Sequence, residues 1–347
     1  MAVTSLSGNG RARATMRDVA ALAGVSLKTV SRVVNDEPGV SPAVRDRVRS
    51  AVRRLDYRPN LAASTLRRTG ARTGLVGALV EDISNPYSAG VLRGLEDVAR
   101  ERGTGVLAAS LDGGADRERA LVHDLVTRRV DALVVMPASE RQDYLVGELR
   151  TGTPVCFVDR PPRGVECDAV TVDNVLGARL ATGHLLDRGH RRVGAVLFQP
   201  WISTARDRLA GFVAAHTERG LHAQGRLVVD DLTTAEQATE ATHRLLALDD
   251  PPTAIFASRN ILAAGAARAL RDLGLGHEVA LVGFDDFPLA DLLDPPLTVV
   301  RQDMERIGRT AAARVFARVD GDTSPPQHVV LEPVLVPRGS GEISAPS

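Results

Sequence analysis

The sequence has little lysine, cysteine or aromatic character, and it lacks any long apolar run. Of its 43 basic residues, Lys28 alone is a lysine, so the abundance of arginine is a bias of the whole chain rather than a sign of function. The absence of about 18 consecutive apolar residues excludes a transmembrane helix. The N-terminus, MAVTSLSGNGRARA, lacks the apolar segment of a secretory signal, and we therefore expect a cytoplasmic protein.

Metal and catalytic motifs are also missing. Cys156 and Cys167 have no metal-ligand pattern around them, and we interpret both as structural residues of a protein in a reducing compartment. His184 and His190 are six residues apart, which is not the spacing of a metal pair on one helix face. Neither a P-loop nor a G-x-G-x-x-G or G-x-S-x-G element occurs. We therefore predict no metal, no cofactor and no enzymatic activity.

The formal net charge of zero hides an asymmetry along the chain. Residues 1–72 contain 14 basic and five acidic residues, a net charge of +9, so the remainder carries −9. A basic segment joined to an acidic body is typical of an arm that binds a polyanion such as nucleic acid. A charged segment that is merely solvated is the alternative.

This basic segment has the pattern of three short helices. Thr15 begins a capping box, Gly24 supplies a turn that tolerates positive φ, and Ser26 can cap a second helix. Ser41 followed by Pro42 begins a third helix. The pattern predicts a helix-turn-helix unit, in which the second helix can enter the major groove of DNA. Apolar residues at helical spacing should face inward: Met16, Val19, Ala20, Ala23, Val30, Val33, Val34, Val44, Val48, Ala51, Val52 and Leu55.

The outward face of the second helix carries groups that can contact DNA. Lys28 and Arg32 can donate to guanine O6 and N7, and Leu27 can contact a thymine methyl group. A solvated surface charge is the alternative interpretation of Lys28. Short polar side chains suit phosphate contacts, and we predict this role for Ser26, Thr29, Ser31 and Asn35.

The stretch TMRDVAALAGVSLKTVSRVVNDEPGVSPAVRDRVRSAVRRLDYRPNLAASTLR resembles the lac repressor/galactose repressor family of bacterial transcription factors. The resemblance rests on the patterns D-V-A-x-x-A-G-V-S-x-x-T-V-S-R-V-x-N and Y-x-P-N-x-x-A-x-x-L. It implies that Leu27 and Lys28, the two residues after the capping serine, read bases, and that Arg32 matches the third base reader.

A second family pattern lies after the helices, where Asn60 begins a segment of good helix formers. Six helical residues are too few to be stable alone in water. The resemblance implies that this hinge folds when two subunits pair on DNA, with Asn60, Ala63 and Leu66 at the minor groove. Leu66 would then act as an apolar wedge that kinks the central base step. Packing of Leu66 in an ordinary linker is the alternative.

From Thr73 onward, short β-rich runs alternate with helical stretches, which predicts two parallel sheets with right-handed crossovers. Ligands of such folds bind outside the carboxyl ends of the strands, and several runs here are followed by carboxylates, amides, arginines or an aromatic residue. Together these residues favour a polyol site, although each alone could cap a loop. Strands are predicted at 74–80, 104–110, 131–136, 153–158, 192–198, 253–258 and 279–284, and helices at about 86–102, 114–128 and 139–150.

The resemblance covers this body too, since DISNPYSAGVLRGLE, STARDRLAGF, VGFDD and PPLTVVRQD match family segments. The core looks like a periplasmic sugar-binding protein. The resemblance implies that Arg208 grips sugar hydroxyls and that Asp285 accepts hydrogen bonds from them. The full set predicted to bind an effector is Ser84, Asn85, Tyr87, Asp159, Trp201, Arg208, Arg259, Asp285 and Gln302.

One position departs from the family pattern. Arg259-Asn260 stands where most relatives carry Asn-Asp. Two guanidinium groups, Arg208 and Arg259, could form a fork for a carboxylate or phosphate, which would make the effector a sugar acid or sugar phosphate. Alternatively, Arg259 pairs with a local acid such as Asp285 or Asp286, and the ligand is a neutral sugar.

The sequence thus predicts an α/β protein with an N-terminal all-α helix-turn-helix domain and hinge helix, followed by a two-subdomain core with parallel sheets, like a periplasmic binding protein. The expected segments are a basic tail (1–14), the helix-turn-helix domain (15–59), the hinge helix and linker (60–72), the core (73–341) and a tail (342–347). Within the core, we expect an N-terminal subdomain at about 73–172 and 303–331 and a C-terminal subdomain at about 173–301 and 332–341.

The predicted function is that of a ligand-responsive regulator, most simply a repressor of carbohydrate-metabolism genes. It would bind a pseudo-palindromic double-stranded operator as a homodimer, with a small-molecule effector in the cleft and no membrane contact. The alternative is a sugar-binding protein of a transport system, which the helix-turn-helix pattern and the lack of a signal segment disfavour.

Overall fold

The structure is a computed structural model that describes residues 14–34, 36–57 and 72–346. The chain divides into two compact units, residues 1–73 and 74–347. Four predicted DNA-contacting residues, Asn35, Asn60, Ala63 and Leu66, lie outside the described residues.

The first unit contains three helices, and local hydrogen bonds explain where two of them begin. Thr15 Oγ1 accepts from the Asp18 amide while the Asp18 carboxylate accepts from the Thr15 amide at 2.7 Å, which confirms the predicted capping box. Gly24 ends the first helix with φ of 63°, and the Thr29 amide donates to Ser26 Oγ at 3.2 Å. Ser41 makes no side-chain capping bond. The helices are α1 (Met16–Ala23), α2 (Leu27–Val34) and α3 (Pro42–Arg54).

A small apolar core joins these helices. Val19, Val30 and Val48, one from each helix, are completely buried. Val33 and Tyr57 are also buried at this core, so the chain after α3 returns to pack against the helices. The inward faces are those that the apolar spacing predicts, and this packing rather than intrinsic propensity stabilises helices of only two or three turns.

The second unit is built on two six-stranded sheets, in the orders β11-β5-β4-β3-β1-β2 and β12-β10-β9-β8-β6-β7. All neighbouring strands are parallel except β10 and β12, which are antiparallel. This architecture confirms the predicted fold class. The strands are β1 (Leu75–Val80), β2 (Gly105–Ser110), β3 (Ala132–Val135), β4 (Val155–Val158), β5 (Asp168–Val172), β6 (Val193–Val196), β7 (Val228–Val229), β8 (Ala254–Ala257), β9 (Ala280–Phe284), β10 (Thr298–Arg301), β11 (His328–Leu331) and β12 (Val334–Val336).

Helices cover both sheets and enclose apolar cores that consist mainly of valine, leucine and alanine. None of the helices in the described ranges has both the length and the apolar character that a membrane span requires. The helices are α4 (Pro86–Glu101), α5 (Ala115–Thr127), α6 (Val146–Arg150), α7 (Asn174–Asp187), α8 (Ser203–Thr217), α9 (Ala235–Leu246), α10 (Asn260–Asp272) and α11 (Met304–Val319).

The chain passes between the two sheets three times, at 173, at 302–303 and at 332–333. We call the part with β1–β5, β11, α4–α6 and α11 the N-terminal subdomain. The part with β6–β10, β12 and α7–α10 is the C-terminal subdomain. Each subdomain therefore contains segments from distant parts of the sequence.

All seven predicted strands are present, but the predicted helix at 139–150 is wrong in its first half. The chain there forms a short 3-10 turn, Asp143–Leu145, before α6. The buried carboxylate of Glu118 accepts hydrogen bonds from the Ala138 and Ser139 amides and from the Tyr144 hydroxyl. These bonds anchor the segment to α5 through Glu118.

Glycines allow close helix contacts in both subdomains. A Cβ atom at Gly94 of α4 would overlap the Glu305 carbonyl of α11, and one at Gly308 would overlap the Val91 carbonyl. The same relationship recurs in the C-terminal subdomain, where a Cβ at Gly211 of α8 would overlap the Val175 carbonyl of α7. Backbone therefore lies directly against backbone where these helices cross.

The C-terminal segment remains attached beyond the predicted boundary at residue 341. The Glu342 carboxylate accepts from Thr298 Oγ1 at 2.7 Å and from the Gly339 amide at 2.6 Å. The carbonyl of Ile343 lies 2.9 Å from His190 Nε2, and the Ile343 side chain packs on the apolar core of the C-terminal subdomain. The segment from 342 to 345 is thus part of this subdomain rather than a separate tail.

Candidate functional site

The first candidate surface is the outward side of α2. Leu27 is 45% exposed and Lys28 is exposed, while Val30 and Val33 of the same helix are buried. Arg32, one turn after Lys28, is half-buried. The two predicted base readers nearest the helix start therefore lie on the side of α2 that faces away from its core.

A concave surface beside α2 brings predicted contact residues together. Ser26, Lys28, Thr29 and Arg32 line it with residues 39–41 and 44 of the following segment. The hydroxyls of Ser26 and Thr29 lie 2.9 Å apart, as part of the cap of α2. Ser31, also predicted to contact phosphate, is half-buried.

An ion-pair cluster that the sequence did not reveal links the connection between α2 and α3 to α3 itself. Asp36 lies 2.9 Å from Arg45 and 3.2 Å from Arg49. Arg45 also donates to the Glu37 carbonyl at 2.9 Å. The positive charges of Arg45 and Arg49 are therefore partly compensated within this unit by Asp36.

The second candidate site is a cleft between the subdomains of the second unit. Its lining residues follow the carboxyl ends of strands from both sheets or lie at the starts of adjacent helices. The cavity has a volume of about 30 Å³, well below the 300 Å³ or more usual for a small-molecule site. The lining consists of Glu81, Tyr87, Asp159, Arg160, Phe198, Thr204, Ala205, Arg208, Ser258, Arg259, Asp285 and Gln302.

Six of the nine predicted effector residues line this cavity: Tyr87, Asp159, Arg208, Arg259, Asp285 and Gln302. The other three do not: Ser84 makes a local bond, Asn85 bonds within its loop and to Asn260 across the cleft, and Trp201 is directed to solvent. Ser84 Oγ donates to the Asp82 carboxylate, and Asn85 Oδ1 accepts from the Tyr87 amide at the start of α4. Trp201 is 50% exposed.

The set of predicted effector residues omits the remaining lining residues, although several of them are among the polar residues at strand ends that favour a ligand site. Glu81 directly follows a predicted strand, Arg160 is the second residue after one, and Ser258 is the last residue of another. Thr204 precedes Arg208 by one helical turn, which places both on the same face of α8.

Arg208 is held rigidly inside the C-terminal subdomain. Its Nε donates to Asn174 Oδ1 at 2.8 Å, and its Nη1 donates to the Ser258 carbonyl. Nη1 also lies 3.4 Å from Asp285 Oδ2, and the guanidinium carbon lies 3.7 Å from the centroid of the Phe284 ring. These contacts leave the guanidinium group with one fixed orientation at the cavity wall.

Gln302 completes this arrangement on the other side of Asp285. Its Nε2 donates to Asp285 Oδ1, so the carboxylate is bound by an amide and a guanidinium group. Both residues are buried. A ligand hydroxyl entering the cavity would meet donors and acceptors that are already oriented.

Tyr87 and Asp159 approach the cavity from the N-terminal subdomain. The Tyr87 hydroxyl is buried, and no hydrogen-bond partner for it exists among the described residues. Burial raises the pKa of Tyr87, and the nearby carboxylates of Asp159 and Asp285 raise it further. Burial also raises the pKa of Asp159. The phenol is therefore a neutral group of the cavity lining that can donate a hydrogen bond to a ligand.

Arg259 is already paired, and its partner is not one of the acids that we expected. Its Nη1 lies 2.7 Å from Glu81 Oε1, across the cleft in the N-terminal subdomain. The expected partner Asp286 instead binds Arg338 at 2.6 Å, and Asp285 binds Arg208. The predicted free fork of two guanidinium groups is therefore not what the cleft contains.

Charges in the cleft balance. Three carboxylates (Glu81, Asp159 and Asp285) and three guanidinium groups (Arg160, Arg208 and Arg259) line the cavity. Burial opposes ionisation of Glu81, but the guanidinium groups of Arg259 and Arg160 hold its pKa below the usual range. The cavity wall thus offers paired charges rather than an excess of either sign.

Comparison with known proteins gives two matching families. Residues 15–60 match the lacI family of bacterial regulatory proteins, and residues 182–341 match a periplasmic binding protein-like domain. The first match lies on the helix-turn-helix unit, and the second falls within the core. The match at 15–60 favours a regulator over a transport protein.

Similar proteins align with nearly the whole chain. The HTH-type transcriptional repressor PurR of Photobacterium profundum is 32% identical over 330 residues, which cover 94% of this chain and 98% of that protein. The ribose operon repressor of Escherichia coli is also 32% identical over 330 residues, covering 94% of this chain and 99% of its own. These relatives are transcriptional repressors and not enzymes, in agreement with the predicted lack of catalysis.

Among solved structures, the lac repressor dimer bound to operator and the anti-inducer ONPF matches with a TM-score of 0.84 and 27% identity. The alignment covers 95% of this chain and 99% of that one. The order of a helical N-terminal unit and a two-sheet core is therefore shared over the full length.

Proposed function

Because this chain belongs to the lacI family of bacterial regulatory proteins, we propose that it is a ligand-responsive repressor that binds a pseudo-palindromic operator as a homodimer. In this proposal residues 15–59 bind DNA, residues 60–72 form the hinge, and the core binds a sugar-like effector. The observation that carries the proposal is that one chain contains both an exposed polar surface on α2 and a polar cleft in its core.

The recognition step uses α2 in the major groove. Lys28 and Arg32 donate to base edges, and Leu27 makes apolar contact with a base. Support comes from the exposure of Leu27 and Lys28 on the side of α2 opposite its buried valines. Phosphate contacts that position α2 come from Ser26, Thr29, Ser31 and Asn35.

The hinge step uses residues outside the described ranges. Asn60, Ala63 and Leu66 contact the minor groove, and Leu66 wedges between bases at the centre of the operator. Effector binding changes the closure of the cleft, and this change alters the order of the hinge helices. Coupling of this kind is reciprocal, so operator binding also changes effector affinity.

Two leucines of the C-terminal subdomain support a homodimer. Leu289 is 65% exposed and Leu292 is 74% exposed; they are the residue before a short 3-10 turn and the last residue of that turn. A second copy that covers them would remove this apolar surface from water. The lac repressor in the matching structure is a dimer on its operator, and a two-fold dimer suits a palindromic site.

The effector that best suits the cleft is a small neutral polyhydroxylated molecule, such as a sugar. Arg208, Asp285, Gln302, Asp159 and Tyr87 provide oriented donors and acceptors for hydroxyl groups. The balanced charges of the lining favour a neutral ligand, since an anion would leave an uncompensated charge. The cavity of about 30 Å³ must widen to admit it, so binding is linked to subdomain movement.

Operator binding by the full chain and by a chain that lacks residues 1–72 tests this function. The full chain should bind a selected palindrome with an affinity that falls steeply with salt, because phosphate contacts release counterions. The truncated core should not bind. Binding by the truncated core would show that the N-terminal unit has been assigned the wrong role.

A further inference from the structure

Two polar contacts join the subdomains across the cleft. Arg259 Nη1 lies 2.7 Å from Glu81 Oε1, and Asn260 Nδ2 donates to Asn85 Oδ1 at 3.1 Å. Glu81 and Asn85 belong to the N-terminal subdomain, whereas Arg259 and Asn260 belong to the C-terminal subdomain. The consecutive residues Arg259 and Asn260 of the C-terminal subdomain thus bind Glu81 and Asn85 of the N-terminal subdomain.

The N-terminal side of this contact is held in place by its own subdomain. Arg160 Nη2 lies 3.0 Å from Glu81 Oε2, and Arg160 Nη1 donates to the Pro137 carbonyl at 2.7 Å. Asn85 is fixed as the cap of α4, because its Oδ1 accepts from the Tyr87 amide at 2.9 Å. Glu81 and Asn85 are therefore oriented toward the cleft independently of what lies opposite.

The C-terminal side is oriented in the same manner. The guanidinium carbon of Arg259 lies 4.4 Å from the centroid of the Phe198 ring. Asn260 Oδ1 accepts from the Ile261 amide at 2.7 Å, at the start of α10. Both halves are preorganised, so joining them costs little side-chain entropy.

The ion pair is also shielded from solvent. The side chain of Arg259 is 16% exposed and that of Glu81 is 23% exposed. Screening by water and salt is weaker at such a site than for a surface pair, so the attraction is stronger. Arg160 shares the Glu81 carboxylate, so this acid keeps a cationic partner when the cleft opens, whereas Arg259 loses its anion.

We propose that the Glu81–Arg259 ion pair, together with the Asn85–Asn260 amide pair, is a latch that holds the two subdomains closed in the free protein. The latch sets the equilibrium between closed and open subdomains before any effector binds. An effector then acts by the difference between its affinities for the two states. This inference rests on the proposed function, in which cleft closure controls the hinge and hence operator binding.

Distance measurement between spin labels tests the latch without any effector. One label replaces Glu140, which follows β3, and the other replaces Glu236, in the first turn of α9; both positions are exposed. Cys156→Ala and Cys167→Ser remove the native thiols. Samples with only one label per chain show only the distances between two copies, which can then be subtracted from the distances of the doubly labelled protein. Opening of the cleft should lengthen the distance within one chain.

Arg259→Met removes the charge while it keeps an unbranched side chain over Phe198. We expect the population with the longer distance to rise roughly fivefold, as the loss of one partly shielded ion pair implies. Glu81→Gln should shift the distances in the same direction. The double variant should open no further than Arg259→Met alone, because both changes break the same contact.

Arg338→Met is the matched control. Arg338 binds Asp286 at 2.6 Å, and their side chains are 19% and 16% exposed, but both residues lie within the C-terminal subdomain. The control should leave the label distances unchanged. Unchanged distances in Arg259→Met, or an equal shift in Arg338→Met, would overturn the latch.

Operator affinity of the same variants tests the regulatory role of the latch. Arg259→Met should change the dissociation constant for a selected operator by roughly fivefold, whereas Arg338→Met should not. Equal affinities of Arg259→Met and the unchanged protein would overturn this role. Absence of operator binding in the parent and in every variant would instead refute the proposed function. The spin-label distances would still show whether the latch exists.

Discussion

The Arg208 guanidinium group and the Asp285 carboxylate lie 3.4 Å apart in the C-terminal subdomain, and both side chains are 7% exposed. Each charge therefore depends on the other for compensation in a site that water hardly reaches. Because α8 and the end of β9 hold the two residues within one subdomain, the pair should move as one body when the cleft opens.

Replacement of Arg208 by methionine should lower the free energy of unfolding by about 3–5 kcal/mol, because Asp285 would remain as a buried charge without its cation. Urea unfolding of the two proteins measures this difference. Arg93→Met is the control, since Arg93 forms a largely exposed pair with Asp97, and it should cost less than about 1 kcal/mol. Equal losses in both variants would show that the burial of the Arg208 pair has no special effect.

Replacement of Lys28 by methionine should weaken discrimination at one base pair of the operator by about 1–3 kcal/mol. The side chain keeps its length but loses its donors to a base edge. Binding to a set of operators that differ at single positions measures this change. Lys28→Arg, which keeps the charge, should retain discrimination more fully, and a uniform loss on all sequences would identify Lys28 as a phosphate contact.

Thermal unfolding in the presence of neutral sugars, sugar acids and sugar phosphates should reveal the effector class. A neutral sugar at 100 times its dissociation constant should add about 2.7 kcal/mol to the free energy of unfolding. Asp285→Asn should abolish this stabilisation, whereas Arg259→Asn should retain sugar binding. Stabilisation by an anion that is lost in Arg259→Asn would contradict the neutral effector and restore the anionic one.

Acid should destabilise the core through His190. Burial lowers the pKa of this imidazole from its ordinary value of 6.5, although the Ile343 carbonyl opposes the shift. The unfolded chain therefore binds a proton that the folded chain does not, and the free energy of unfolding falls as the pH drops below 6.5. The slope for this group is at most about 1.4 kcal/mol per pH unit.

His190→Gln should reduce this pH dependence. The glutamine amide is uncharged at every pH and can still donate to the Ile343 carbonyl, which His190 contacts at 2.9 Å. Urea unfolding between about pH 8 and about pH 5.5 spans the ordinary imidazole pKa. It measures how steeply the free energy of unfolding depends on pH in the variant and in the parent. The hypothesis fails when the variant and the parent lose stability in parallel.

Gly94→Ala should destabilise the N-terminal subdomain by about 1–3 kcal/mol, because the new methyl group would overlap the Glu305 carbonyl of α11. Gly147 of α6 is the control: a Cβ there meets no atom within 4 Å. Gly147→Ala should be neutral or stabilising by up to about 1 kcal/mol, since alanine favours a helix. Similar outcomes for the two variants would argue against a tight crossing of α4 and α11.

The predictable part of the fold is the part with strong local patterns. Continuous apolar runs identified β1 to β4, β6, β8 and β9, because buried parallel strands have no polar alternation. β5 begins with Asp168, whose charge is compensated by Arg314 and Arg318 of α11, so no local signal marks it as buried. β7 has only two residues, and β11 and β12 are edge strands with exposed side chains.

The site was predictable where its residues follow strands, and the failures have physical reasons. Ser84 and Asn85 lie in the expected loop, but the Ser84 hydroxyl bonds to Asp82, and Asn85 Oδ1 accepts from the Tyr87 amide and from Asn260. The partner of Arg259 could not be found from the sequence, since Glu81 lies in the other subdomain and pairs only through the closed arrangement. Sequence spacing places residues at a strand end, whereas pairing across a cleft depends on tertiary contacts.

The three passages of the chain between the subdomains also affect how the protein is synthesised. Helix α11 and strand β11 complete the N-terminal subdomain, yet they follow nearly all of the C-terminal subdomain in the sequence. During translation, the sheet of the N-terminal subdomain therefore lacks an edge strand, and its apolar face lacks α11, until the ribosome has made residue 331. The three-helix unit needs none of these late segments, so a nascent chain can fold this unit long before its core is complete.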